Sequence, residues 1–116
     1  MSRQRSVASA GLVGAAPVFA ALGDETRLRI VARLCTEGPL PIVRLSAGVA
    51  VTRQAVTKHL HALAAAGLVR SRRPGRRRQR IWGLEPRRLE EARRYLDRIS
   101  QQWDGALARL RAFVEE

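Results

Sequence analysis

One stretch in the middle of the sequence combines hydrogen-bonding side chains at a spacing that suits recognition of a nucleic acid. At about 100° per residue, Val56, Leu60 and Leu63 share one side of a helix, and polar side chains take the other. Arginine and glutamine can each form paired hydrogen bonds to a base edge in the major groove, so Arg53 and Gln54 are the best candidates for base contacts. The full predicted set is Thr52, Arg53, Gln54, Thr57, Lys58 and His61. The pattern predicts a helix whose polar face enters a groove.

Positive charge is concentrated in the same part of the chain. The net charge is +12, and residues 38–84 contribute +10 of it, because they hold nine arginines and Lys58 but no acidic residue. A compositional preference for arginine explains why arginine is used in place of lysine. It does not explain 47 consecutive residues without a carboxylate. The segment therefore predicts a surface that binds a polyanion, rather than a merely solvated face.

The arginines are densest in a segment with the pattern of a β-hairpin. Seven of the eleven residues from Arg70 to Arg80 are arginine. Apolar residues flank this segment on both sides, and Pro74-Gly75 marks a turn between two predicted strands, residues 68–73 and 76–84. Such a hairpin would be a wing whose arginines hold phosphates or enter the minor groove, namely Arg72, Arg73, Arg76, Arg77, Arg78 and Arg80. A basic disordered loop is the alternative.

The other reactive side chains do not form a catalytic or metal-binding set. His59 and His61 are about 200° apart around a helix and cannot share one ion as residues four apart can. From their positions relative to the apolar face, we expect His59 at the flank of the core and His61 outside. Cys35, the single cysteine, lies on a predicted buried stripe, which favours a core residue over a sensor thiol. No acidic residue lies between Glu37 and Glu85 to complete an acid/base pair. The sequence predicts no metal, no cofactor and no enzyme.

Two shorter helices are predicted directly before the central one. Asp24 can cap the first of these helices, and Gly38-Pro39 ends it. Apolar residues at i, i+3, i+4 and i+7 predict its buried stripe, which is Leu28, Val31, Ala32 and Cys35. Residues 41 to about 47 are predicted to form a third, shorter helix with Ile42 and Leu45 inward. A glycine turn then leads to a helix over residues 52–66, capped by Thr52 and ended by Gly67. This order is typical of a helix-turn-helix, although another helical hairpin would show the same periodicity.

The last segment carries an apolar stripe that one small domain cannot easily cover. Eight apolar residues alternate spacings of three and four between Leu89 and Phe113. The stripe predicts an interface with a second subunit through Leu89, Leu96, Ile99, Trp103 and Leu110. A helix folded back on its own domain is the alternative, and Gly105 is a point where the helix can kink or divide.

The remaining expectations concern organisation. Residues 1–15 are predicted to be a flexible tail rather than a signal peptide, followed by a short helix from Pro17 to Leu22 with the proline at its first position. Residues 16–84 would form the DNA-binding domain, and residues 85–116 a dimerisation helix of the same domain. The chain has no apolar stretch of about 18 residues that would span a membrane.

Three groups of residues together resemble a known family. They are Phe19-Ala-Ala-Leu-Gly-Asp-Glu-Thr-Arg-Leu-Arg-Ile30, Arg53-Gln-Ala-Val-Thr-Lys-His-Leu60, and Ala66-Gly-Leu-Val69 before the basic wing. In this combination the chain is similar to the ArsR/SmtB-type winged-helix transcriptional repressors. The central string and Trp103 look most like the subgroup often encoded beside a START-like protein.

The resemblance implies a mainly α-helical winged helix-turn-helix with a small β-hairpin. It further implies a cytoplasmic homodimer, joined through its first and last helices, that binds operator DNA. Metal-sensing members carry paired cysteines before the recognition helix or Asp and His on the last helix, and this chain has neither, since no cysteine falls in residues 41–45 and no histidine follows His61. We therefore expect a repressor that binds a pseudo-palindromic operator without metal. The alternatives are a redox- or small-molecule-responsive sensor of the same fold, or a non-specific nucleic-acid-binding protein.

Overall fold

The computed structural model describes residues 14–75 and 79–115. The described helices are α1 (residues 14–22), α2 (Glu25–Glu37), α3 (Ile42–Ser46), α4 (Arg53–Ala65) and α5 (Pro86–Glu115). The strands β1 (Leu40–Pro41), β2 (Val69–Arg72) and β3 (Ile81–Leu84) form an antiparallel sheet in the order β1-β3-β2. The expected helix-turn-helix followed by a β-hairpin is confirmed.

Local signals define both ends of α4. The Thr52 hydroxyl accepts a hydrogen bond from the Ala55 N–H at 3.1 Å, as a capping side chain should. At the other end Gly67 has a φ of 77°, and its N–H donates to the Ala64 carbonyl while the Leu68 N–H donates to Leu63. This is a Schellman motif, which satisfies carbonyls that the last turn leaves unpaired. The predicted cap, stop and limits of this helix are confirmed to within one residue.

The buried face of α2 differs from the predicted one. Asp24 caps the helix as expected, and its carboxylate accepts from the Arg27 N–H at 3.0 Å. The buried residues are Ile30, Val31 and Leu34, whereas Leu28 is 50% exposed and Cys35 and Ala32 are also exposed.

The predicted stripe of α2, including a buried Cys35, was therefore wrong. The helix carries two apolar stripes that share Val31, and they are rotated by about 100° from each other. Apart from Val31, the exposed stripe has one large hydrocarbon side chain, Leu28, whereas the buried stripe has two, Ile30 and Leu34. Burial of the second stripe therefore removes more large hydrocarbon side chains from water.

Residues 40–46 also depart from the prediction. Pro41 was assigned to the helix, but it ends β1 and precedes α3 in an extended conformation, with φ −74° and ψ 160°. The strand pairs Leu40 with Trp82 and Pro41 with Ile81. A strand of two residues has no alternating pattern, so the sequence contained no signal for it. Leu45 is fully buried, as predicted.

The wing hairpin forms where the sequence predicted it, with shorter strands. The β2 residue Val69 pairs with Leu84, and Ser71 pairs with Trp82. Val69 and Trp82 are buried in the core, which attaches the base of the hairpin to the helices. Arg76, Arg77 and Arg78, predicted at the tip, lie outside the described residues.

The helix α1 begins earlier than predicted. Residues 14–22 are helical, and Ala15, Val18 and Ala21, each three positions apart, are buried. The predicted start at Pro17, and the assignment of residues 14 and 15 to a tail, were wrong because the apolar face of the helix extends across Pro17. Residues 1–13 lie outside the described part of the chain.

The helix α5 is continuous through Gly105 and extends 30 residues, or about 45 Å at 1.5 Å per residue. Only its beginning packs on the domain, through the buried Ala92 and the partly buried Leu89. Beyond this point Leu96 is 52% exposed and Trp103 is 63% exposed, so the alternative of a helix folded back on its own domain was wrong. Within the described residues, every helix is too short or too polar to cross a membrane.

We expect replacement of Thr52 by alanine to lower the free energy of unfolding by about 0.5–2 kcal/mol, since it removes the cap of α4. Thr52→Ser keeps the hydroxyl and should stay close to the parent protein. Urea denaturation followed by circular dichroism measures both variants. Equal losses for serine and alanine would show that the methyl group, and not the cap, contributes the stability.

Candidate nucleic-acid interface

The outer face of α4 carries the polar side chains that the sequence predicted there. Val56, Leu60 and Leu63 are fully buried, which directs the opposite face of the helix to solvent. The exposed side chains of the helix include Arg53, Gln54, Lys58 and His61. The first two occupy the first turn, and the first turn of a recognition helix is the part that usually reaches base edges.

The two threonines of the predicted set are partly engaged within the protein. The Thr52 oxygen accepts from the Ala55 N–H, and the Thr57 hydroxyl donates to the Arg53 carbonyl at 3.0 Å. Thr52 keeps its own O–H as a donor, which suits a phosphate oxygen, while Thr57 keeps oxygen lone pairs as acceptors. They suit supporting contacts better than paired contacts to a base.

The wing presents further cations beside α4. Arg72, Arg73 and Arg80 are all exposed. The Arg80 guanidinium donates to the Ser71 hydroxyl on the neighbouring strand at 3.0 Å. Arg70, which was not in the predicted set, lies 3.4 Å from the carboxylate of Glu85.

An aromatic contact joins the wing to α4. The ring of His61 lies 6.0 Å from the ring of Trp82, with the two planes tilted by 49°. Together with Val69, Ser71 and Arg80 they line a groove between the helix and the hairpin. Sequence reasoning placed His61 outside but missed that Trp82 supports it, because the two residues are neighbours only through the docking of β3.

His59 lies on the flank of α4, where it contacts α2. Its side chain is 22% exposed, and its Nδ1 accepts a hydrogen bond from the Nε of Arg27 at 3.2 Å. A second nitrogen of the same guanidinium donates to the carbonyl of Ala21 in α1 at 3.2 Å. The expected structural role for His59 fits these contacts, but the sequence did not single out its partner Arg27.

The Asp24 carboxylate also approaches this cluster, at 3.9 Å from His59 Nδ1. The backbone N–H of Arg27 is the main reason why the pKa of Asp24 is lowered, and the positive charge of the Arg27 guanidinium acts in the same direction. Because this pKa is lower in the folded protein, the stabilisation is present at neutral pH and is lost as the pH falls through the folded pKa.

In the part of the chain that the structure describes, acidic, histidine and cysteine side chains do not gather into a metal site. Within residues 14–75 and 79–115, no group of three or more such residues could hold a metal ion. The described acids are mostly paired with nearby arginines on the surface, for example Glu25 with Arg29 and Glu37 with Arg33.

The exposed part of α5 forms a second surface, separate from the cationic one. Its exposed large apolar side chains are Leu96, Ile99, Trp103, Leu107, Leu110, Phe113 and Val114. The last helix thus carries the apolar residues predicted for an interface, and Leu107 and Val114 add to them. Leu89, the first of the predicted set, packs on the domain itself.

Comparisons with known proteins agree with this architecture. A sequence-family profile described as a helix-turn-helix domain matches residues 22–72. The HTH-type transcriptional regulator Rv2034 of Mycobacterium tuberculosis is 42% identical over 87 residues, which cover 75% of this chain and 76% of that protein. An ArsR-like transcriptional regulator from Rhodococcus sp. RHA1 superimposes with a TM-score of 0.72 at 37% identity, covering 88% of this chain and 93% of that one. The chain belongs to the ArsR family.

A solved structure from Mycobacterium bovis, described as a homodimeric winged helix-turn-helix DNA-binding domain of a possible ArsR-family regulator, has a TM-score of 0.62. It covers 92% of this chain and 91% of its own length at 22% identity, which shows the fold alone. As a member of the ArsR family, this protein is a DNA-binding transcriptional regulator with a winged helix-turn-helix.

We expect zinc, cadmium and arsenite to leave the DNA affinity of this ArsR-family protein unchanged, because its described residues offer no ligand set. Fluorescence anisotropy on the cognate duplex, with and without each metal and with EDTA as reference, measures this. A change of tenfold or more, about 1.4 kcal/mol, with any of them would overturn the expectation.

Proposed function

We propose that this ArsR-family protein is a homodimeric repressor in the cytoplasm that binds a pseudo-palindromic operator without a metal. The observation that carries the proposal is the division of α4 into a fully buried apolar side and a polar side that stays exposed. A helix that is held on one face and presents donors on the other can lie in the major groove, whose width admits an α-helix.

The first turn of α4 is the part that reads sequence. Arg53 and Gln54 are exposed and directly follow the Thr52 cap, so they lie deepest in the groove if the helix enters by its N-terminus. Arginine pairs well with guanine and glutamine with adenine. Thr52, Thr57, Lys58 and His61 then flank these two and contact neighbouring bases or phosphates.

The wing contributes affinity more than sequence information. Arg72, Arg73 and Arg80 are exposed beside α4, and Arg76, Arg77 and Arg78 continue the basic run outside the described residues. Guanidinium groups bind phosphates and fit narrow minor grooves, and these contacts depend little on the base sequence.

The α5 helix supplies the dimer interface. Its apolar stripe includes Leu96, Ile99 and Trp103, and the domain leaves all three exposed. An exposed apolar stripe of this length is typical of a protein interaction site, and a second copy of the same helix is the partner that a symmetric dimer provides. Two α4 helices would then meet successive major grooves, about 34 Å apart along the DNA. A dimer bound in this way would block RNA polymerase.

Replacement of Leu96 by glutamate should convert the dimer to a monomer at micromolar concentration, because it puts an unpaired charge into an apolar interface. Sedimentation velocity reports the outcome. Gln101→Glu is the matched control, since residue 101 lies roughly 140° from residue 96 around the helix, away from the stripe. A parent protein that is already a folded monomer, or a Leu96→Glu variant that remains a dimer, would contradict the proposal.

The loss of a base contact and the loss of a phosphate contact should change DNA affinity in different ways. Gln54→Ala should weaken binding to the cognate operator by roughly 1–3 kcal/mol, with little change on random DNA or in the salt dependence. Replacing Arg72 and Arg73 by alanine should weaken both DNAs together and make the plot of log affinity against log salt shallower by about 0.9 per lost contact.

Both variants can be measured on cognate and random duplexes across one salt series. If Gln54→Ala loses the same amount of affinity for the two DNAs, α4 does not read sequence. The function would then be non-specific nucleic-acid binding.

A further inference from the structure

A single guanidinium joins three helices next to the proposed DNA-reading helix. Arg27 of α2 donates through Nε to the Nδ1 of His59 in α4, and through Nη1 to the Ala21 carbonyl in α1, both at 3.2 Å. Its own backbone N–H donates to the Asp24 cap. Arg27 and His59 are 32 residues apart in the sequence and are both partly buried.

We propose that Arg27, acting through His59, is a positioning residue that sets the orientation of α4 for operator recognition. The inference rests on the proposed function of α4 as the helix that reads the operator. Neither Arg27 nor His59 needs to touch DNA, because His59 lies on the side of the helix away from His61, about 200° around it.

The apolar contacts of α4 leave a freedom that this hydrogen bond removes. Val56, Leu60 and Leu63 hold the helix on the domain by burial, which depends on area and not on direction. A small rotation of α4 about its own axis would keep most of that burial while moving the side chains of the first turn in the groove. A hydrogen bond depends on direction, so the contact at His59 opposes this rotation.

The chemistry of the contact is specific to the two side chains. The Nδ1 atom of His59 accepts in this contact, so the hydrogen bond needs an acceptor at that position of the side chain. Because the guanidinium is planar and rigid, the direction of its Nε–H is fixed relative to Nη1, the nitrogen that donates to the Ala21 carbonyl. One rigid group therefore relates α4 to both α1 and α2.

The same connection reaches the helix proposed for dimerisation. Phe19 of α1 and Tyr95 of α5 have ring centroids 6.0 Å apart. Arg27 thus ties α4 to a framework that includes the proposed interface. In a dimer an error in the orientation of α4 occurs twice, and both helices must match half-sites at a fixed spacing. The expected consequence is a loss of operator binding with little loss on random DNA.

The test compares His59→Leu with His59→Asn. The two replacements have the same branched skeleton, but only asparagine places an acceptor oxygen near the position of Nδ1. His59→Leu should weaken operator binding about tenfold while random DNA changes less than twofold. His59→Asn should stay within about threefold of the parent on both duplexes. Anisotropy at pH 7.5 gives the affinities, and thermal unfolding reports whether each variant is folded.

A second variant approaches the contact from α2 and leaves α4 unchanged. Arg27→Gln should reproduce the loss seen for His59→Leu, and the double variant should lose little more than either single one, because both remove the same interaction. Equal operator affinity for the leucine and asparagine variants would overturn the inference. So would parallel losses on operator and random DNA, or fully additive losses in the double variant. If His59→Leu does not fold, Arg27→Gln alone decides by the same comparison of duplexes.

Gln54→Ala in the same assay separates this inference from the proposed function. If Gln54→Ala loses operator preference and the variants at Arg27 and His59 do not, only the positioning role fails. If Gln54→Ala keeps its operator preference, the function proposed for α4 itself fails.

Discussion

The burial of one side of α4 is the constraint on which the rest of the structure depends. Val56, Leu60 and Leu63 are fully buried, and Leu45 of α3 is buried in the same core. Because side chains repeat every 3.6 residues, this burial also determines which side chains point outward. The thirteen residues of α4 are held at both ends by local hydrogen bonds, at Thr52 and at Gly67, so the apolar face has a defined length. The cationic surface is a consequence of this packing.

The end of α4 determines the position of the wing. Leu68 and Val69 follow the Schellman turn directly and are buried, so the chain enters β2 while still attached to the core. Pairing of Ser71 with Trp82 then brings a second anchor onto the same core from β3. Arg70 and Arg72 alternate with these inward residues along β2 and therefore point outward. The positive charge lies beside α4 because the hairpin leaves the core immediately after it.

The C-terminal helix α5 carries more apolar side chains than the domain buries. Ala92 is buried, but the larger side chains that continue the same stripe are exposed. An isolated chain would keep these hydrocarbon surfaces in water, at an estimated cost of about 25 cal/mol per Å². The association through α5 that we propose would remove that cost by covering the exposed stripe with a second copy of the helix. In the proposed function, dimerisation and DNA binding would be linked, because one fold positions both α4 and the exposed stripe of α5.

Much of the fold could be predicted from the sequence, because its signals are local. The caps at Asp24 and Thr52 and the turn at Gly67 each involve residues within five positions of one another, and the period of α5 is visible along one helix. Other features needed the tertiary structure. Which stripe of α2 is buried depends on the volume that the other elements leave free, so Leu28 and Cys35 were assigned to the wrong side. The strand β1 forms only because β3 returns alongside it, and the contact of Arg27 with His59 spans 32 positions. The sequence by itself determined the limits of α2 and α4 and where the charge lies, since those properties come from neighbouring residues. The tertiary structure alone decided which surfaces meet, because that depends on contacts between residues far apart in the chain.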